Sequence, residues 1–84
     1  MPRFFVDTSD QEFFVRDEEG LECENLEGAR NAAIAVLPDM AREGLPTNNS
    51  RTFSAIVRGE DGRTLFQASL HFQFTSLFPE HERP

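Results

Sequence analysis

Two runs of alternating apolar residues, 51–58 and 64–74, flank the polar segment Glu60-Asp61-Gly62-Arg63, and they constrain the fold more than any other feature. Alternation with a period of two is typical of strands that bury one face. The short polar segment between the runs predicts a β-hairpin. The apolar positions are Phe53, Ala55 and Val57 in the first run and Phe66, Ala68, Leu70, Phe72 and Phe74 in the second.

The turn must place both apolar sets on the same face, since a one-residue slip inverts every side chain. A two-residue loop at Asp61-Gly62 achieves this, and Asp-Gly suits a type I′ turn. A three-residue loop with a bulge at Gly62 would pair Val57 with Leu65 and turn Phe66 away. We therefore predict the two-residue loop, with the pairs Val57–Phe66, Ala55–Ala68, Phe53–Leu70 and Glu60–Arg63.

Two further strands are predicted over residues 3–7 and 12–16, joined by the polar turn 8–11. Each carries adjacent Phe residues, Phe4-Phe5 and Phe13-Phe14. At least one ring of each pair must point away from the core, and the sequence leaves open which one. The polar segment 17–21 follows as a loop, with Gly20 as its turn residue.

A helix is predicted over residues 26–43, with Asn25 as N-cap and Gly44 and Pro46 ending it. Pro38 lies inside this segment, where it removes a backbone hydrogen bond. We expect a kink near Pro38, or a restart of the helix there. The apolar stripe comprises Leu26, Ala29, Ala33, Leu37 and Met40, widened by Ile34, Val36 and Ala41.

The element order predicts an α+β fold, a β-β-α-β-β two-layer sandwich. One helix covers one face of a four-stranded, mainly antiparallel sheet. The length of 84 residues suits one domain, which we place at residues 1–78. Residues 79–84 form a charged tail that we expect to fray.

Several segments together resemble a family of short bacterial proteins of unknown function. They are the Met1-Pro2-Arg3-Phe4-Phe5 start, the acidic run at residues 16–22, the segments at 25–30 and 39–43, and the hairpin turn at 58–63. The family pattern has Asp where this chain has Asn25, and an uninterrupted helix where it has Pro38. The resemblance implies no activity, cofactor or catalytic residue.

Eight Arg, no Lys and fifteen acidic residues give a net charge of −7, which disfavours direct binding to nucleic acid. Cys23 is the single cysteine, so an intrachain disulfide is excluded and a reducing compartment is favoured. No apolar run is long enough for a signal peptide or a membrane span. We expect a cytoplasmic protein.

No catalytic, cofactor-binding or metal-binding residue is predicted. Asp17, Glu18 and Glu19 form an acidic loop that lacks the spacing of a calcium-binding loop, so we interpret it as solvated. His71 and His81 stand alone, without zinc-ligand spacing. A nucleophile elbow and a glycine-rich phosphate loop are also missing.

The second face of the sheet is mixed rather than polar, because Ile56, Leu65 and His71 fall on it. Together with Asp17, Glu18 and Glu19, these residues are the candidate partner surface. The leading hypothesis is a non-enzymatic protein–protein interaction module, which could form a homodimer through this face or an edge strand. The alternative is an acidic regulator that occupies a basic surface of a nucleic-acid-binding partner. A small enzyme or metal-binding protein comes third, and no small-molecule ligand is identified.

Overall fold

The computed structural model describes residues 1–44 and 49–78. In chain order, the elements are strands β1 (Arg3–Ser9), β2 (Phe14–Val15) and β3 (Leu21–Glu22), helix α1 (Leu26–Gly44), and strands β4 (Ser50–Arg58) and β5 (Thr64–Gln73). The sheet has the order β2-β1-β4-β5, and β3 pairs with the N-terminal end of β1. Every strand pair is antiparallel.

The core lies between α1 and one face of the sheet. Alternate residues of β4 are buried, and Phe53, Ala55 and Val57 meet the buried row of α1. That row consists of Ala29, Ala33 and Leu37 at four-residue spacing, as an amphipathic helix requires. Phe4 and Cys23 complete the buried cluster.

The predicted α+β fold and element order are confirmed, although the sheet has five strands rather than four. The additional strand is β3, which begins at Leu21, the last residue of the predicted loop, and β2 is shorter than predicted. Phe4 is the buried ring of the first pair, whereas Phe5 lies half-buried on the other face. Phe13 and Phe14 are both exposed, 69% and 61%, because β2 lies at the edge beyond the reach of α1.

The hairpin pairs Val57–Phe66, Ala55–Ala68 and Phe53–Leu70 are confirmed. The two-residue loop is wrong, however: Gly59 pairs with Arg63 across a three-residue loop, and only Gly62 has positive φ, at 87°. The longer loop shifts the pairing by one residue, and a second shift between Val57 and Arg58 reverses this change. Arg58 pairs with Thr64, Val57 pairs with Phe66, and Leu65 is left as the extra residue. The longer loop and the bulge thus together keep both apolar sets on the same face of the sheet, as the apolar pattern requires.

Helix α1 begins as predicted, since the Asn25 side chain accepts a hydrogen bond from Gly28 N at 3.0 Å. It runs through Pro38 to Gly44 without interruption, so a restart at Pro38 is wrong and a bend there stays a prediction. Leu26 and Ile34 remain exposed although the stripe includes them. Pro46 and the predicted tail, residues 79–84, lie outside the described residues. Within the described chain, no helix has the length and apolar character needed to cross a bilayer.

The positive φ of Gly62 yields a first prediction. A Cβ at Gly62 would meet no atom within 4 Å, so only backbone strain opposes a side chain there. Gly62→Val should lower the free energy of unfolding by more than about 1 kcal/mol, whereas Gly62→Asn should cost less, because Asn tolerates this conformation. Chemical denaturation of both variants measures the difference, and equal stabilities would contradict the turn geometry.

Pro38 yields a second prediction. It is exposed, and its ring takes the place of an N–H that would otherwise bond the carbonyl of Ile34. Pro38→Ala should therefore raise the free energy of unfolding by about 1 kcal/mol or more. Circular dichroism should show equal or greater helicity. A less stable variant would mean that the proline geometry serves a contact.

Candidate functional site

A buried ion pair lies on the sheet face opposite the helix. Asp7 of β1 is only 4% exposed, and Arg58 of β4 donates to it from Nε at 2.8 Å and from Nη2 at 3.1 Å. The two residues approach because β1 and β4 pair Asp7 with Ile56 and Phe5 with Arg58. The guanidinium also lies over the ring of Phe5, 4.8 Å from its centroid.

The loop that precedes β3 covers this pair. The Asp17 amide donates to Asp7, and the Asp17 carbonyl accepts from Arg58 Nη2 at 2.8 Å. The Asp17 carboxylate accepts from the amides of Val6, Glu19 and Gly20. Gly20 has a φ of 79°, and a Cβ there would lie 2.8 Å from the side chain of Arg3. The Asp17 side chain therefore has a structural role, whereas Glu19 contributes through its backbone, whose carbonyl accepts from Arg3.

The electrostatics of this site favour fixed charges. Hydrogen bonds from Arg58 hold the pKa of Asp7 below its usual range, although burial acts in the opposite direction. Burial alone would raise the pKa of Asp17, but the amides of Val6, Gly20 and Glu19 outweigh it and lower that pKa. Asp7 in turn raises the pKa of Arg58. A general acid or base needs a pKa near the working pH, and these shifts move each group away from it.

A cleft of about 540 Å³ opens beside the ion pair. It lies between the Asp17 loop and the β4–β5 turn and combines two arginines with four carboxylates. Its lining residues are Phe5, Arg16, Asp17, Glu18, Arg58, Glu60, Asp61 and Gly62. In residues 1–44 and 49–78, no group of three or more His, Cys, Asp or Glu side chains is arranged to hold a metal ion.

The predicted partner residues do not converge on one patch. Ile56 and His71 lie on the face opposite the helix, where Ile56 is half-buried and the His71 Nδ1 atom is 2.9 Å from Thr52 Oγ1. Leu65 is the extra residue of the bulge near the turn. Glu18 and Glu19 are exposed near the other side of the cleft. A partner surface formed by these residues stays a prediction.

An apolar row that α1 covers only in part lies instead on the helix side of β5 and continues into the next residue, Phe74. We call Phe66, Ala68, Leu70, Phe72 and Phe74 the β5 strip. None of the five is buried, although the β4 partners of the first four are, and Leu70 and Phe74 are 38% and 58% exposed. Helix α1 contacts β5 as well as β4, and Phe66 and Ala68 pack against the core, so it is Leu70 and Phe74 that keep the most surface exposed.

The Asp7–Arg58 pair yields a third prediction. Asp7→Asn removes the charge that Arg58 binds and should lower the free energy of unfolding at pH 7 by about 2 kcal/mol. Because folding lowers the pKa of Asp7, its stabilisation is complete well above the unfolded value of about 4. That stabilisation is lost as the pH falls through the folded pKa.

The stability gap between wild type and Asp7→Asn should therefore narrow below about pH 4, as urea unfolding at several pH values would measure. Asp39→Asn is the matched control, since it removes the carboxylate of an exposed pair with Arg42 and should change stability little. A gap that persists undiminished to about pH 2.5 would contradict the proposed linkage.

Comparison with known proteins agrees with the resemblance seen in the sequence. The sequence model of one family, Domain of unknown function (DUF6894), matches residues 3–71. No curated protein and no solved structure is similar enough to match the chain. The matched region extends from the start of β1 into β5 and includes α1, Asp7, Asp17 and Arg58. The chain therefore belongs to the DUF6894 family.

Proposed function

We propose that the protein is a non-enzymatic, cytoplasmic module that binds other protein chains through the β5 strip. The observation that carries this proposal is the contrast between β4 and β5. The helix-facing row of β4 is fully buried, whereas every residue of the β5 strip keeps part of its apolar surface in water. Exposed apolar rows next to an unpaired strand edge are typical of interaction surfaces.

The charged residues support the same proposal. Arg3, Arg42, Arg51 and Arg58 each form an ion pair within the chain. Arg51 is buried and holds the β1–β2 turn through Glu12 at 3.1 Å. Arg51 and Arg58 keep little exposed surface and use their guanidinium groups within the fold, so the exposed apolar surface is better placed than they are to bind a partner. The single, buried Cys23 agrees with a reducing compartment.

The alternative function, an acidic regulator of a nucleic-acid-binding partner, would use a different surface. Glu18, Glu60 and Asp61 line the cleft and are exposed, so a basic partner could contact them there. Such a contact depends on charge and weakens as salt shortens the screening length. Contact through the β5 strip depends on apolar burial and should persist.

Site-specific photocrosslinking separates these functions and is our fourth prediction. A photoreactive phenylalanine analogue at position 74 should give covalent protein adducts that persist in about 0.5 M salt. The matched control is the same analogue at position 39, on the exposed polar face of α1, which should give none. Adducts that arise only from position 18 and vanish with salt would favour the acidic regulator. Equal labelling at positions 74 and 39 would contradict binding through the β5 strip.

A further inference from the structure

The edge of β5 that faces away from β4 presents an unbroken set of backbone groups. The Phe74 amide donates to Asn49 O at 2.7 Å, which fixes the alternation along the β4–β5 ladder. Even-numbered residues from Phe66 to Phe74 therefore direct their backbone groups towards β4. The odd-numbered residues direct their N–H and C=O groups outward, to the side where no strand of residues 1–44 and 49–78 pairs with β5: Gln67, Ser69, His71 and Gln73.

This edge lacks the features that usually block strand pairing. Residues 64–73 contain no Asp, Glu, Lys, Arg or Pro, although the protein as a whole carries a charge of −7. Edge strands are normally protected by charges, proline or bulges. The one bulge, at Leu65, lies at the turn end and leaves the regular ladder from Phe66 onward.

We propose that the partner of the β5 strip is a second copy of this chain, paired antiparallel through β5. This inference rests on the proposed function and names its partner. When a strand pairs with a second copy of itself about a two-fold axis, its own side chains face one another, so they must be compatible in size and charge. The neutral edge of β5 meets this condition, because it brings no like charges together in an otherwise acidic protein.

Of the registers that the backbone allows, one uses every outward residue. Pairing Gln67 with Gln73 and Ser69 with His71 of the second copy uses all four outward residues on both strands. The two-fold axis then passes through Leu70, which faces its own copy in a pair without hydrogen bonds, where side chains approach most closely. Ala68 lies opposite Phe72, so a small side chain faces a large one.

Helix α1 favours the same arrangement. Gly28 faces Cys23, which follows β3, so that flank of the helix lies towards β1. Ile34 is about 240° around the helix from Gly28 and so lies on the opposite flank, towards β5. It is 44% exposed. In the two-fold arrangement both helices lie on one face of a continuous sheet, and the two Ile34 flanks close over the Leu70 pair.

Sedimentation equilibrium tests the pairing and is our fifth prediction. Wild type should be dimeric at tens of micromolar, and Leu70→Glu and Leu70→Lys should each weaken the dimer at least about tenfold, since like charges would face each other across the axis. An equimolar mixture of the two variants should recover the dimer, because Glu then faces Lys. Only a register with Leu70 on the axis predicts this recovery.

A second pair of variants tests the strand edge. The Ser69 amide points outward, so Ser69→Pro keeps the β4–β5 ladder and removes a donor from the seam. It should abolish the dimer, while Ser69→Ala, the matched control, should leave it intact. Circular dichroism should show that all variants are folded.

The outcomes distinguish this inference from the function on which it rests. A wild-type monomer at about 100 µM would overturn self-pairing, as would a dimer indifferent to both Leu70 variants and to Ser69→Pro. If the wild type is monomeric but position 74 still crosslinks a different protein, the second copy is overturned and the binding module stands. Adducts of the chain with itself at position 74 would support both.

Discussion

A single helix has to cover a face of a sheet that is four strands across, and the rest of the structure depends on how it does so. An α-helix with its side chains is about 10 Å wide, whereas four strands span about 14 Å between the outer strand axes. Helix α1 lies mainly over β4, where it packs Ala29, Ala33 and Leu37 onto the alternating buried row. Helix α1 also contacts β5, where Phe66 and Ala68 pack against the core, but the β1 side of the sheet and the rest of β5 extend beyond it.

On the β1 side, the chain closes its own edge. The two-residue strands β2 and β3 pair with the two ends of β1, and the Asp17 carboxylate accepts the Val6 amide between them. The same loop covers Asp7 and Arg58 on the face without a helix, and no buried side-chain polar atom in the described residues lacks a partner. A buried ion pair is tolerable only when further hydrogen bonds satisfy it, and here the covering loop provides them.

The sequence predicted what depends on periodicity and missed what depends on tertiary hydrogen bonds. Alternation gave the β4–β5 register, and spacing with Asn25 gave α1, because both follow from burial of one face. The predicted turn was wrong because the loop has one residue more than predicted, with Gly62 at its end, and Leu65 adds a second unpaired residue. Together they leave the apolar side chains on the same face as a two-residue loop would, and the apolar pattern shows only which face each side chain occupies. The pairing of Asp7 with Arg58 spans 51 positions along the chain, and no local pattern encodes it. Asp17 likewise resembled any solvated acidic residue.

The difference between the two edges of the sheet carries the functional argument. The β1 edge uses polar side chains and short strands, so little of its backbone is left to pair. The β5 edge has ten residues without formal charge, and α1 covers only part of the apolar strip beside it, leaving Leu70 and Phe74 exposed. Natural sheets seldom leave such an edge free, because unpaired strands aggregate. A chain that protects one edge in detail and leaves the other neutral and regular is better explained by a specific partner for β5 than by an incomplete core.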